Sequence, residues 1–128
     1  MDNEIDKNNM FGAIWEFPDN LSQAFELGNN IVLSNKYDNI KNIIISGMGG
    51  SAIGGNVVSV LEKNNLSYPF FICRGYTLPN WVNENTLVIC SSYSGNTEET
   101  INALNDALFK KAQVCGITTG GKLKEILD

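Results

Sequence analysis

From residue 43 onward, short uninterrupted apolar runs alternate with longer segments whose apolar positions recur at helical spacing. The runs predict strands over 43–47, 69–73, 87–91 and 113–118. Between them the spacing predicts helices over 51–63 and 97–111, an irregular connection over 74–86, and a short helix from about Lys122. Runs such as Ile43-Ile44-Ile45 and Leu87-Val88-Ile89-Cys90 carry no polar alternation, so both faces of each strand are expected to be covered, as in a parallel sheet between helix layers. Upstream, Phe17-Pro18-Asp19-Asn20 reads as a helix entry, and Leu21, Ala24, Phe25, Leu27, Ile31 and Val32 carry a helical stripe. Gly28 weakens that helix, and Ser34-Asn35 is the expected breaker before Lys36-Tyr37-Asp38-Asn39. Residues 1–18 are polar with a small cluster, Phe11, Ile14, Trp15 and Phe17, which predicts a leading arm packed on the body. The expected organisation is one compact domain, with 1–40 as arm and helix packing on the sheet and 41–128 as the α/β body.

The fold class is therefore α/β, a three-layer sandwich built on a doubly wound parallel sheet. Right-handed crossovers restrict the topology, and the common small order is 2-1-3-4-5, here with the fifth strand missing. In that order strands 1 and 3 are neighbours whose following helices leave on opposite faces, and the crevice at such a switch point is where open α/β sheets bind ligands.

Both loops that reach this crevice are rich in glycine and hydroxyl groups. The first is Gly47-Met48-Gly49-Gly50-Ser51-Ala52, and the second is Ser91-Ser92-Tyr93-Ser94-Gly95-Asn96-Thr97. Each leads into a helix whose first amides have no intrahelical acceptor, so the pair suggests a cradle for a phosphate. The first loop also fits G-x-G-x-x-A, the dinucleotide fingerprint, which is weakly specific on its own. A nicotinamide cofactor asks for an acidic residue at the end of strand 2, where this chain has Arg74; an NADP-binding oxidoreductase domain thus stays as a remote alternative. No Gly-Lys-Ser/Thr closes the loop, which excludes a P-loop. In the second loop Ser92, Ser94 and Thr97 can each donate to a phosphate oxygen, while Gly95 allows a tight turn beneath it. Three hydroxyls in six residues exceed what one helix cap requires, although Thr97 alone fits a cap. Glu98 and Glu99 read as partners of the helix dipole, not as catalytic acids.

Composition narrows the ligand further. A net charge of −5 with nine scattered basic residues disfavours nucleic acid, so an anion must be held by local geometry. No apolar run approaches a membrane span, and the start, Met1-Asp2-Asn3-Glu4-Ile5-Asp6, lacks the build of a signal peptide; a cytoplasmic protein is expected. Cys73, Cys90 and Cys115 form no metal or redox spacing and read as reduced, packed thiols. The chain has no histidine, which excludes a Ser-His-Asp hydrolase and a histidine-based zinc site. Neither cofactor nor metal is expected.

Taken with Arg74-Gly75-Tyr76-Thr77-Leu78-Pro79-Asn80-Trp81-Val82 and Ile117-Thr118-Thr119-Gly120-Gly121-Lys122-Leu123, the two loops resemble the sugar isomerase (SIS) domain. The run Ser92-Tyr93-Ser94-Gly95-Asn96-Thr97-Glu98-Glu99-Thr100 carries most of that resemblance. More narrowly, the chain is similar to the first SIS domain of the bifunctional phosphoglucose/phosphomannose isomerases of archaea and bacteria, from about Phe17 to Asp128. The resemblance implies a flavodoxin-like order of parallel strands and a phosphosugar site formed by Gly49, Gly50, Ser51, Ser92, Ser94, Gly95 and Thr97. It also implies aldose-ketose isomerisation of glucose 6-phosphate, mannose 6-phosphate and fructose 6-phosphate. The family's acid/base glutamate, histidine and lysine are implied to lie farther along a longer chain, so binding without catalysis is the expectation for this one. A non-catalytic phosphosugar-sensing regulatory domain is the alternative. Association of copies, as a homodimer or through an exposed sheet edge, is also expected.

Overall fold

The computed structural model describes residues 5–33 and 35–128 of the chain, which divides into two units, Met1–Lys36 and Tyr37–Asp128. In the first unit the Asp6 carboxylate accepts the amides of Met10 at 2.6 Å and Phe11 at 2.9 Å and so starts helix α1, Met10–Trp15. Phe11 and Trp15, one turn apart, stack with ring centroids 6.0 Å apart. The sequence pattern showed only an arm here, because a six-residue helix is too short to display a period. Helix α2, Phe17–Asn29, begins with Pro18 in its first turn, where a missing N–H costs nothing. It ends earlier than the apolar stripe predicts. The Asn30 side chain donates to the Glu26 carbonyl at 2.8 Å and closes the helix, so Ile31 and Val32 fall beyond its end. Ser34 of the expected breaker, and Met1 to Glu4 at the start, lie outside the described residues.

In the second unit the chain runs β1 (Asn42–Gly47), α3 (Gly49–Leu61), β2 (Phe70–Cys73), β3 (Thr86–Ser91), α4 (Glu98–Phe109), β4 (Gln113–Ile117) and α5 (Gly121–Leu127). The four strands form one sheet in the order β2-β1-β3-β4, parallel throughout, which is the expected order over its first four places. Ile44, Val88 and Cys90 face Ala103, Leu104 and Ala107 of α4 and Leu123 of α5 in the main core. On the opposite face, α3 lies against β1 with its backbone at Gly55 close to Ile45. Adjacent residues of β1 therefore point into different helix layers, which is why the isoleucine run carries no polar break.

A polar clamp holds the connection between β2 and β3. The Asp106 carboxylate accepts the buried Leu78 amide at 2.7 Å and the Lys110 ammonium at 2.9 Å, and the same ammonium donates to the Leu78 carbonyl at 2.8 Å. Burial pushes the Asp106 carboxyl up, but hydrogen bonds from Lys110 and Leu78 together with the Lys110 charge outweigh it and hold the group below its ordinary range. The three cysteines are free thiols, and burial pushes Cys90 up to about 12. At that value the thiolate is scarce at neutral pH, and Cys90 serves as a small apolar core residue.

Candidate functional site

The C-terminal ends of β1 and β3 stand side by side, with Gly47 in register with Ser91. Both strands release the chain into a loop at this edge. After β1 the loop is short, and Gly49 takes a φ of 50° in the left-handed region at the entry to α3. Met48 occupies the N-cap position of α3 but makes no side-chain cap bond; its carbonyl accepts the Ser51 amide at 3.1 Å, so the Gly49 and Gly50 amides keep their donors. Gly49 and Gly50 are exposed, and Ser51 is half-buried in the first turn.

The loop after β3 is fixed by its own hydroxyls. Ser92 is buried; its amide donates to the Ile117 carbonyl at 3.0 Å and its Oγ accepts the Gly95 amide at 3.1 Å. The Ser92 and Thr97 hydroxyl oxygens lie 2.8 Å apart in a hydrogen bond. One of their two protons is spent on that bond, and one remains. Since Ser92 is the buried member, the arrangement that presents a proton to solvent has Ser92 donating to Thr97 and Thr97 pointing its own O–H outward. Gly95 takes a φ of 67°, and a Cβ there would stand 1.7 Å from the Gly120 carbonyl oxygen, so both backbone angle and space demand glycine. Ser94 is exposed, and its Oγ accepts the Asn96 amide at 3.2 Å, which leaves its proton uncommitted.

The three helices that begin at this edge differ in how they are closed. Thr97 occupies the N-cap position of α4, yet its hydroxyl turns to Ser92 and leaves the helix uncapped, as Met48 leaves α3. In α5, by contrast, the Lys122 amide donates to Asn96 Oδ1 at 3.2 Å and the Leu123 amide donates to the Gly95 carbonyl at 2.9 Å. Helices α3 and α4 thus offer free donors, whereas α5 spends its own in anchoring the second loop.

Between the strand ends lies a cleft of about 250 Å³ lined by Ser51, Ser91, Tyr93, Ile117, Thr118 and Thr119. Its far wall is tied to the second loop through the Thr119 hydroxyl, which donates to the Tyr93 carbonyl at 2.6 Å. Of the residues singled out from sequence, Ser92, Gly95 and Thr97 form one hydrogen-bonded unit, Ser94 stands exposed beside them, and Ser51 lines the cleft with Gly49 and Gly50 preceding it. Sequence reasoning assigned no site role to Thr118, Thr119 or Asn96. The signal was present in the glycine and hydroxyl composition after strand 4, which repeats that of the first two loops.

The electrostatic setting is mixed. Glu98 and Glu99 occupy the first turn of α4. The Tyr76 hydroxyl, on the connection after β2, is pushed up by Glu98 first and then Glu99, with burial adding to the rise. Among the described residues no three histidine, cysteine or carboxylate side chains gather as a metal site.

No family model matches the chain. Over 119 residues it is 46% identical to the bifunctional phosphoglucose/phosphomannose isomerase of Caldicellulosiruptor bescii, a match covering 93% of this chain and 35% of that protein. It is 41% identical over 88 residues to the D-glucosamine-6-phosphate 4-epimerase of Sulfolobus acidocaldarius, covering 64% of this chain and 26% of the relative. Among solved structures, a Clostridium difficile protein assigned as a phosphosugar isomerase aligns with a TM-score of 0.66 and 28% identity, over 87% of this chain and 32% of the other. The fold is that of a sugar isomerase (SIS) domain. This SIS domain spans about a third of the length of the first of those relatives. The groups it gathers at the strand ends are hydroxyls and backbone amides, with the Glu98 and Glu99 carboxylates in the first turn of α4 beside them. Hydroxyls and amides hold and orient a ligand, but at neutral pH they do not exchange protons with it.

Proposed function

We propose that the chain is the phosphosugar-binding SIS domain of a glucose-6-phosphate/mannose-6-phosphate aldose-ketose isomerase of carbohydrate metabolism. The phosphate is held by the amides of Gly49 and Gly50 and the hydroxyl of Ser51 at α3, by the hydroxyls of Ser94 and Thr97, and by the first amides of α4. Ser92 and Gly95 set the loop that presents them. The observation that carries this reading is the pair of uncapped helix starts that follow the adjacent strands β1 and β3 at one edge of the sheet, with α5 closed beside them. An anion there meets two positive helix ends at once. The relatives agree with it in one respect: enzymes named for an isomerase and for a 4-epimerase both carry a phosphosugar in their names. The cradle therefore accounts for the phosphate, while chemistry at the sugar carbons falls to other groups.

Each charge-assisted hydrogen bond contributes about 1.5–3 kcal/mol before association costs, so three or four sustain binding of about millimolar to micromolar strength. Proton transfer between C1 and C2 needs a general base, and the glutamate that the resemblance assigns to that role is expected from elsewhere in a longer enzyme, as is the histidine for ring opening that this chain lacks. Free thiols accord with a cytoplasmic home, and no helix among the described residues is long and apolar enough to cross a membrane. Self-association belongs to the same proposal, because β4 pairs only with β3 and leaves its other side as a sheet edge.

Replacing Ser94→Ala together with Thr97→Ala tests the site. Titration with fructose 6-phosphate at fixed salt is expected to show affinity lowered at least about tenfold, with the circular dichroism unchanged. Unchanged affinity in a folded double variant refutes the cradle.

A further inference from the structure

We propose that Arg74 is a ligand-positioning cation of this site, contacting the phosphosugar dianion from the β2 side of the cradle. The inference rests on the cradle reading above and adds to it a charged contact that neither hydroxyl loop supplies.

Arg74 is the only arginine in a chain whose net charge is −5. It directly follows Cys73, the last residue of β2, which is in register with Ser46 of β1. The arginine therefore leaves the sheet at the level of Gly47, the residue that pairs with Ser91 and from which the first loop departs. Neighbouring strands lie about 4.8 Å apart, so the crevice between β1 and β3 begins one strand away, within the span of an extended arginine side chain.

The backbone that carries Arg74 is held in place. Cys73 Sγ donates to the Thr77 carbonyl at 3.4 Å, and the Asp106–Lys110 clamp grips Leu78 just beyond. Between those ties lies Tyr76, whose hydroxyl is pushed up first by Glu98 and then by Glu99 of the first turn of α4.

The guanidinium itself is uncommitted. Arg74 is exposed, and among the described residues it enters no ion pair and no side-chain hydrogen bond. The carboxylate that grips this connection, Asp106, is already taken by Lys110 and the Leu78 amide. Meanwhile Glu98 and Glu99 repel an arriving dianion. A planar fork of donors beside the cradle offsets that repulsion and can bind two phosphate oxygens together, which a lysine cannot do. Lys122, in the first turn of α5, is the other cation at this end of the sheet, but its helix is closed onto Asn96.

The test is calorimetric titration of the full chain with glucose 6-phosphate and with inorganic phosphate, each at low and at high salt. Arg74→Gln is expected to weaken both by about tenfold or more and to flatten the salt dependence. Arg74→Lys is expected to keep the salt dependence while binding more weakly than the native chain, and Lys122→Gln to bind within about twofold of it. Arg74→Gln binding within about twofold, with native salt dependence, overturns the proposal. If that result accompanies lost affinity in the Ser94/Thr97 double variant, the cradle stands and only the role of Arg74 falls. A native chain that binds neither phosphate overturns both.

Discussion

Gly95 is the position where a single added carbon collides with the most. It combines a left-handed φ with a Cβ position 1.7 Å from the Gly120 carbonyl oxygen, and its own carbonyl receives the Leu123 amide that anchors α5. Gly95→Ala must push the second loop away from α5 and is expected to cost at least about 2 kcal/mol in urea denaturation, with loss of phosphosugar binding. A variant as stable as the native chain contradicts the packing described. At the same scale, the hydroxyl count in the second loop was legible in sequence, but the way it is spent was not. Three hydroxyls suggested three donors, whereas Ser92 and Thr97 consume one proton between them and Ser92 is buried. Whether a serine faces a ligand or a neighbour depends on which atoms the turn brings within 3 Å, and spacing along the chain does not encode that.

At the scale of elements, the inner strands β1 and β3 were read correctly because cover on both faces forces uninterrupted apolar runs, while the edge strands β2 and β4, only partly buried, were legible from their short apolar runs alone. The strand order was legible as the commonest small doubly wound order among the topologies that crossover handedness allows, and the sheet has it over four strands. The first unit was less legible. Helix α1 depends on the Asp6 carboxylate, and the end of α2 depends on the Asn30 amide, so one polar side chain decides each boundary. The wall formed by Thr118 and Thr119 was missed for a related reason: it joins the site through bonds to the second loop, from the Thr119 amide and hydroxyl to the Tyr93 carbonyl and from the Ser92 amide to the Ile117 carbonyl. The clamp between α4 and the β2–β3 connection yields a pH prediction. Asp106 is held below its ordinary value, so the stability it adds is present above the unfolded pKa of about 3.9 and lost as pH falls through the lower folded value. Asp106→Asn is expected to be destabilised by about 1–3 kcal/mol at neutral pH, because the buried Leu78 amide and the Lys110 charge lose their ionic partner. Its melting temperature should also vary less than that of the native chain below about pH 4. Equal acid sensitivity in the two proteins contradicts the clamp.

At the scale of the whole molecule, an acidic chain that binds a dianion must do so against its own field. The net charge of −5 gives no long-range attraction, so the capture proposed above rests on fixed dipoles at α3 and α4, on hydroxyl protons, and on one arginine at the end of β2. The most direct test of the central claim is calorimetric titration of the full chain with glucose 6-phosphate, alongside glucose and NADPH at the same salt. Saturable binding of the sugar phosphate at about micromolar to millimolar strength, with no heat from glucose or NADPH, is the predicted result. Saturable binding of NADPH, or none of glucose 6-phosphate, contradicts it.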